Sequence, residues 1–432
     1  MLKAAALVIL AIVGLAPANA QQTKDSLEYG GWSRFRVGGY GEMVANFKDY
    51  GTNRFYGNAE GNPKENRNTI SIPRFVVAFD YKFNQKWILG AEIEFESGGV
   101  GTAYELENTE NGEYETEVEK GGEVALEQFH ITRLIVPEFN VRVGHMIVPI
   151  GLTNSHHEPT NFFGTSRPEG ETTIIPSTWH ETGIEFFGTV GRRYATFDYQ
   201  LMVVEGLNAN GFDRTTWAGS GKQGIFEEDN FNSPAIVARV DYRGVPGLRV
   251  GASFYYCKDI GDNADKSQTY SSYGKFPLRI YSADLQYIHK WFTARGNILV
   301  GNLTNAYSVG QANGKLSNLS PYSRWTPIAK KAVSYGGELG LNVRGIFKNE
   351  RVPSLYPFVR YEYYNPQEKG EGTDVMDERC KVSMWTAGLN WYALPNLVVK
   401  ADYTTRRIGG GKYNSENEFA IGVAYVGWFF KK

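Results

Sequence analysis

Four of the six histidines stand within or beside one stretch of the chain, as His145, His156, His157 and His180. Arg167 lies among them, with Glu158, Glu169 and Glu171 as the nearby carboxylates. Imidazoles can move protons, ligate metals or change charge near a pKa of about 6.5. Hydrolytic chemistry would need a nucleophile held beside a base. No Gly-x-Ser-x-Gly occurs, serines and aspartates are scattered, and no nucleotide-binding loop is present, so neither an enzyme nor an energised pump is expected. Adjacent histidines rarely aim at one ion, so His156 and His157 predict no metal site, and no cofactor is expected.

A second set of chemistry-bearing residues is spread along the chain on alternating positions. Its bases are Arg34, Arg36, Arg74, Arg142, Arg239, Arg243, Arg249, Arg295, Arg344, Arg360, Lys400 and Arg406. Its acids are Glu42, Asp80, Glu92, Glu94, Glu96, Glu181, Glu185, Asp198, Asp241, Asp284, Glu338, Glu362 and Asp402. Two roles are open to them: cross-strand pairs that stiffen a wall, or unpaired charges that set a field and an ion preference.

The elements that carry these residues alternate with period two, the pattern of strands. Leu397, Val399, Ala401, Tyr403 and Thr405 interleave with Val398, Lys400, Asp402, Thr404 and Arg406. Sixteen such segments are expected, near 32–46, 69–83, 87–96, 124–135, 139–146, 181–190, 194–205, 233–243, 248–258, 278–288, 292–301, 332–343, 354–364, 381–392, 397–406 and 418–430. Long and short connections alternate between them without a break. That is the signature of an all-β transmembrane antiparallel barrel of sixteen strands, with long extracellular loops and short periplasmic turns. Hydrocarbon offers the backbone no hydrogen-bond partner, so every strand must pair on both edges and the sheet must close. A soluble sandwich would not need one apolar band repeated so many times. Tyr361, Tyr363 and Tyr364 before a long loop, and Trp391 and Tyr392 before a turn, fit interfacial aromatic girdles.

Composition agrees. The 432 residues carry 45 Lys+Arg against 47 Asp+Glu, with 49 Gly, 27 Tyr, 25 Phe and 9 Trp. Near-neutrality argues against a nucleic-acid partner. Residues 1–20 read as a signal peptide, with Lys3, an apolar run from Ala4 to Leu15 and the small-x-small site Ala18-Asn19-Ala20. Residues 21–432 then form a single barrel in the outer membrane of a Gram-negative-type envelope, with its lipid as partner. After residue 20 nothing approaches a helical span. Cys257 and Cys380 fall on separated segments and are expected as free thiols.

Val141-Arg142-Val143-Gly144-His145-Met146-Ile147-Val148-Pro149-Ile150-Gly151 resembles the strand-then-loop signature of the phosphate-selective porin O/P family. The terminal aromatic strand ending Trp428-Phe429-Phe430 is similar to the one by which outer-membrane barrels are recognised for insertion. The resemblance implies a sixteen-stranded, trimeric channel for small anions such as phosphate, whose third long loop folds inward. That loop corresponds to 147–180, with His156, His157 and Arg167 as candidates for the constriction and a pH response near their pKa. Phosphate preference would rest on clustered bases, whereas 147–180 holds Arg167 as its one Lys or Arg. The segment 101–127, with nine Glu against one Lys, is expected to be an acidic surface loop. The functional expectation is therefore a porin for passive diffusion of small hydrophilic solutes or ions. The alternative is a loop-presenting binding or adhesion barrel with a plugged lumen.

Overall fold

The computed structural model describes residues 30–55, 66–99, 104–108, 114–118, 124–223, 229–264, 267–316 and 326–432. The expected signal peptide lies outside them, as does much of the acidic segment 101–127. Within that segment β4 (Tyr104–Asn108) pairs with β5 (Tyr114–Val118) as a separate hairpin, and residues 124–127 already belong to a barrel strand.

The barrel strands are β1 (Phe35–Asp49), β2 (Arg67–Asn84), β3 (Trp87–Glu96), β6 (Val124–Val136), β7 (Phe139–Ile147), β8 (His180–Arg192), β9 (Ala195–Val204) and β10 (Ala235–Tyr242). They continue as β11 (Leu248–Cys257), β12 (Leu278–Ile288), β13 (Phe292–Leu303), β14 (Lys331–Leu341), β15 (Ser354–Lys369), β16 (Val382–Leu394), β17 (Leu397–Ile408) and β18 (Ser415–Lys431). Every expected segment is present. Each strand is antiparallel to its sequence neighbour, and β1 pairs with β18 to close the cylinder. Ser33, Arg34 and Phe35 donate their backbone N–H groups to the Lys432 carbonyl at 2.7–3.1 Å, so the seam is hydrogen-bonded to the last residue.

Turns at 85–86, 137–138, 193–194 and 395–396 mark one end of the barrel; connections at 97–123, 148–179, 205–234 and 304–330 mark the other. Outward positions are apolar and exposed, as at Phe419, Ile421 and Val423 on β18, while Ala420 and Ala424 between them are buried inside. Trp87, Phe139, Tyr194, Trp291, Trp391 and Phe429 form a girdle beside the short turns, as rings do where one edge can stay wet. The free thiols Cys257 and Cys380 are both buried.

Four positions depart from simple alternation. Arg34 precedes β1 and turns outward, where its guanidinium meets the Tyr81 hydroxyl at 2.8 Å; it does not line the lumen. Arg344 lies in a short helix, Val343–Phe347, inside the turn after β14, and donates to the Val352 carbonyl at 2.8 Å. Arg34 thus stands at the irregular start of the seam and Arg344 in a helical turn, so strand alternation aims neither inward. Tyr364 and Tyr392 leave the expected girdles for the interior, reaching toward Glu169 at 3.3 Å and the Thr160 carbonyl at 3.5 Å.

Candidate functional site

After β7 the chain turns into the barrel instead of passing over it. Gly151 makes that turn with φ +83°, and a β-carbon there would come within 2.2 Å of the Glu171 carboxylate. Glu171, in the short helix Glu169–Ile174, accepts the backbone N–H groups of Leu152 at 3.0 Å and Asn154 at 2.6 Å. It also accepts the Asn297 amide of β13 at 2.7 Å. One carboxyl thus ties both arms of the loop to each other and to the wall. Burial pushes its pKa up to about 7, against the opposing pull of the backbone N–H groups.

The inward loop is irregular, so its backbone groups need partners that a helix or sheet would otherwise supply. Wall side chains supply them. Glu338 faces the Phe163 N–H at 3.2 Å, Asp402 accepts from Thr165 at 2.7 Å, and Glu362 accepts from Gly170 at 3.1 Å. Lys400 donates to three carbonyls, Pro159 at 2.5 Å, Gly164 at 2.7 Å and Phe162 at 3.3 Å. Arg360 holds the carbonyls of Phe163 and, at 3.1 Å, Ser166. Arg239 reaches the Gly151 carbonyl at 3.1 Å. Phe163 covers Gly340, where a β-carbon would lie 2.4 Å from its ring.

The same charges also pair with one another, several at positions the register sets opposite each other. Arg74 meets Glu42 at 3.0 Å, Arg142 meets Glu185 at 2.9 Å, and Arg36 meets Asp80 at 2.5 Å. Glu338 bridges Arg295 at 2.6 Å and Arg360 at 3.1 Å. Arg239 contacts Asp241 at 2.8 Å and Asp284 at 2.9 Å, and Arg406 contacts Glu169 and, at 3.2 Å, Glu418. Of the two roles open to these residues, the structure has them paired, and several also anchor the loop. Charges so placed stiffen the wall and leave a weakened net field.

The three constriction candidates share the loop but point to different neighbours. His156 packs against the Arg249 guanidinium, with its Nδ1 3.1 Å from the Leu152 carbonyl. Burial and then Arg249 push its pKa well below the usual imidazole value, so it stays neutral; a response near pH 6.5 through His156 is corrected. His157 faces Glu127 of β6 at 3.5 Å. Arg167 folds back on its own loop, onto Thr178 at 2.6 Å and Ser177 at 3.0 Å. Glu92 and Glu94 lie on the facing β3 wall, where Gln128 donates to Glu92 at 2.6 Å.

Two polar cavities flank the loop. One of about 490 Å³ opens toward the long connections, lined by residues such as Glu42, Lys48, Arg74, Arg167, Arg406 and Glu418. The other, about 270 Å³, lies toward the short turns, lined by Arg142, His156, Asp198, Asp241, Arg243 and Arg249 among others.

Alternation gave no sign of what fills the rest of the long-connection end. There the inward residues of β9 to β13 become apolar, with Met202, Val204, Val237, Tyr255, Leu278, Ile280 and Leu299 almost fully buried. Trp179, Phe212, Trp217, Tyr270 and Phe276 from the connections pack onto them as one core. Trp217 Nε1 and Tyr255 OH both find backbone partners, the Ala329 carbonyl and the Leu207 N–H, each at 2.9 Å. At about 1.5–3 kcal/mol per large apolar side chain, burial of this core holds the connections against the inside of β9 to β13. The large cavity therefore lies against β1, β2, β17 and β18 instead of on the barrel axis.

No protein-family model matches the sequence. A protein of Aquifex aeolicus (strain VF5), described as uncharacterized, is 25% identical over 398 residues, 91% of this chain and 79% of that one. In structure the chain is similar to Salmonella typhi OmpF in complex with daunomycin, with TM-score 0.56, 10% identity and coverage of 91% of this chain and 98% of that one. It is also similar to the anion-selective porin of Comamonas acidovorans, with TM-score 0.53, 10% identity and coverage of 91% and 100%. The outer membrane channel DcaP of Acinetobacter baumannii gives TM-score 0.51, 12% identity and coverage of 91% and 97%. At these identities the likeness is one of fold.

Proposed function

We propose that this chain is an outer-membrane porin through which small hydrophilic solutes and ions diffuse down their gradients. The observation that carries this reading is the loop 148–179, folded into the lumen and hydrogen-bonded to its wall, with polar cavities on both sides. A loop so placed narrows a channel without closing the cylinder. On this reading the short turns are periplasmic, the long connections extracellular, residues 1–20 are removed on export, and three copies assemble. The paired wall charges favour mild ion preference over strong phosphate selection. His156, His157 and Arg167, with Glu92 and Glu94 opposite, would border the narrowest part.

The apolar core under the connections favours a second reading, a barrel that presents its loops to a partner and conducts little. Planar-bilayer recording of the purified protein separates the two. A porin gives stable, ohmic single-channel steps, and deleting Ser155 to Glu169 raises them. Silent bilayers, or steps unchanged by that deletion, would refute the proposed eyelet. Reversal potentials in a salt gradient measure the ion preference.

A further inference from the structure

We propose that Glu92, Glu127 and His157 form a divalent-metal site that clips the inward loop to the barrel wall. One ligand atom from each residue lies within 4.8 Å of the others. His157 Nε2 stands 3.5 Å from Glu127 Oε1. Donor atoms bound about 2.0–2.1 Å from one tetrahedral ion lie about 3.4 Å apart, so the His157–Glu127 pair already has that spacing, and Glu92 would close in on it when an ion binds.

Each ligand is oriented by a further group, as metal ligands ordinarily are. His157 Nδ1 lies 3.1 Å from the Asn154 carbonyl, which can only accept. Nδ1 therefore carries a proton, and in the neutral ring the Nε2 lone pair faces the carboxylates. Tyr40 donates its hydroxyl to Glu127 at 3.2–3.3 Å, and Gln128 donates to Glu92 at 2.6 Å. Glu127 is wholly buried, and a register shift between Glu92 and Ile93 on the paired strand accompanies its inward turn. Glu94, the next inward acid on β3, has an Oε1 with no hydrogen bond, 3.7 Å from Arg74 Nε. Three acceptors so close together, two of them buried and Glu92 half-buried, make a seat for a further cation. One imidazole and two carboxylates suit a first-row divalent ion such as Zn²⁺.

The site joins the loop to β3 and β6, four and five strands round the wall from the Lys400 and Asp402 tethers on β17. Occupancy would hold the loop at a second place on the wall. That consequence rests on the channel reading, whereas metal binding does not. Titrating metal-stripped full-length protein in detergent with Zn²⁺ in a calorimeter tests it. We expect one saturable equivalent, weakened more than tenfold in His157→Ala, His157→Gln and Glu127→Gln and unchanged in His289→Ala, with far-UV circular dichroism confirming each folded barrel. Absence of saturable binding, or equal binding in the His157 and Glu127 variants, would overturn the proposal. Loss in His145→Ala alone would also overturn it, placing the ion where the His145 and His180 rings meet, 4.4 Å between centroids. Zinc that binds at this site yet leaves bilayer conductance unchanged keeps the site and refutes its grip on the pore.

Discussion

Replacing Lys400 with methionine leaves the stem of the side chain and removes its ammonium. In the native protein that group is 2% exposed and donates to three loop carbonyls, at 2.5, 2.7 and 3.3 Å. Among the described residues no carboxylate lies within ion-pair distance of it, so backbone dipoles satisfy the charge. A buried carbonyl left unpaired costs about 1–3 kcal/mol. At the low end of that range for each of the three carbonyls, the loop loses about 3 kcal/mol of anchoring. At about 1.4 kcal/mol per tenfold, the detached form gains roughly a hundredfold in population. The barrel itself keeps its strand ladder and should fold as before. Single-channel recording then shows frequent excursions to a higher conductance level and more open-state noise. The bond is buried, so the effect should persist in molar salt, where surface charge effects are screened. A folded Lys400→Met protein whose steps and noise match the native ones would refute the assignment of Lys400 as an anchor.

Further outcomes follow from the same geometry. Gly151→Ala forces a β-carbon onto a φ of +83°, at a cost of about 1–2 kcal/mol, and against Glu171; a lower urea midpoint and a displaced loop conductance are expected. Glu171 has a folded pKa of about 7, raised above its unfolded value, so its contribution to stability is complete in acid and is lost as pH rises through 7. Urea midpoints measured from pH 5 to pH 8 should fall for the native protein and flatten in Glu171→Gln; parallel curves would contradict this. Ile421→Arg puts a charge on the outward face of β18 and should destabilise folding into vesicles by about 2–4 kcal/mol, while Ala420→Ser, facing inward, should cost far less. Equal effects at the two positions would contradict the assigned faces.

The sixteen strands were legible because a lipid-facing wall enforces one rule at every residue. Val399, Ala401 and Tyr403 must be apolar and Lys400 and Asp402 must not, so period two survives in the primary sequence. The inward loop was expected from the family resemblance carried by residues 141–151, whose Pro149 and Gly151 follow β7. What escaped lies where that rule is broken. Glu127 faces inward beside a register shift, which strict alternation from β6 could not anticipate. Arg34 and Arg344 sit just outside the regular strands β1 and β14, where periodicity has no hold. Met202, Val237, Tyr255 and Leu299 are apolar yet face inward, because the core they join comes from connections far away in the chain.

Strand number, strand facing and closure of the cylinder were therefore written in the order of residues, since each depends on a neighbour two positions away or on the solvent outside. The fate of the inward charges was decided only by the tertiary structure. Lys400, Glu338 and Asp402 read alike as polar positions of a wall. Their work is to satisfy carbonyls and N–H groups of a loop more than a hundred residues earlier. Which charge meets which backbone group depends on where that loop comes to rest. It rests where its unpaired backbone finds partners, a condition that no local pattern encodes.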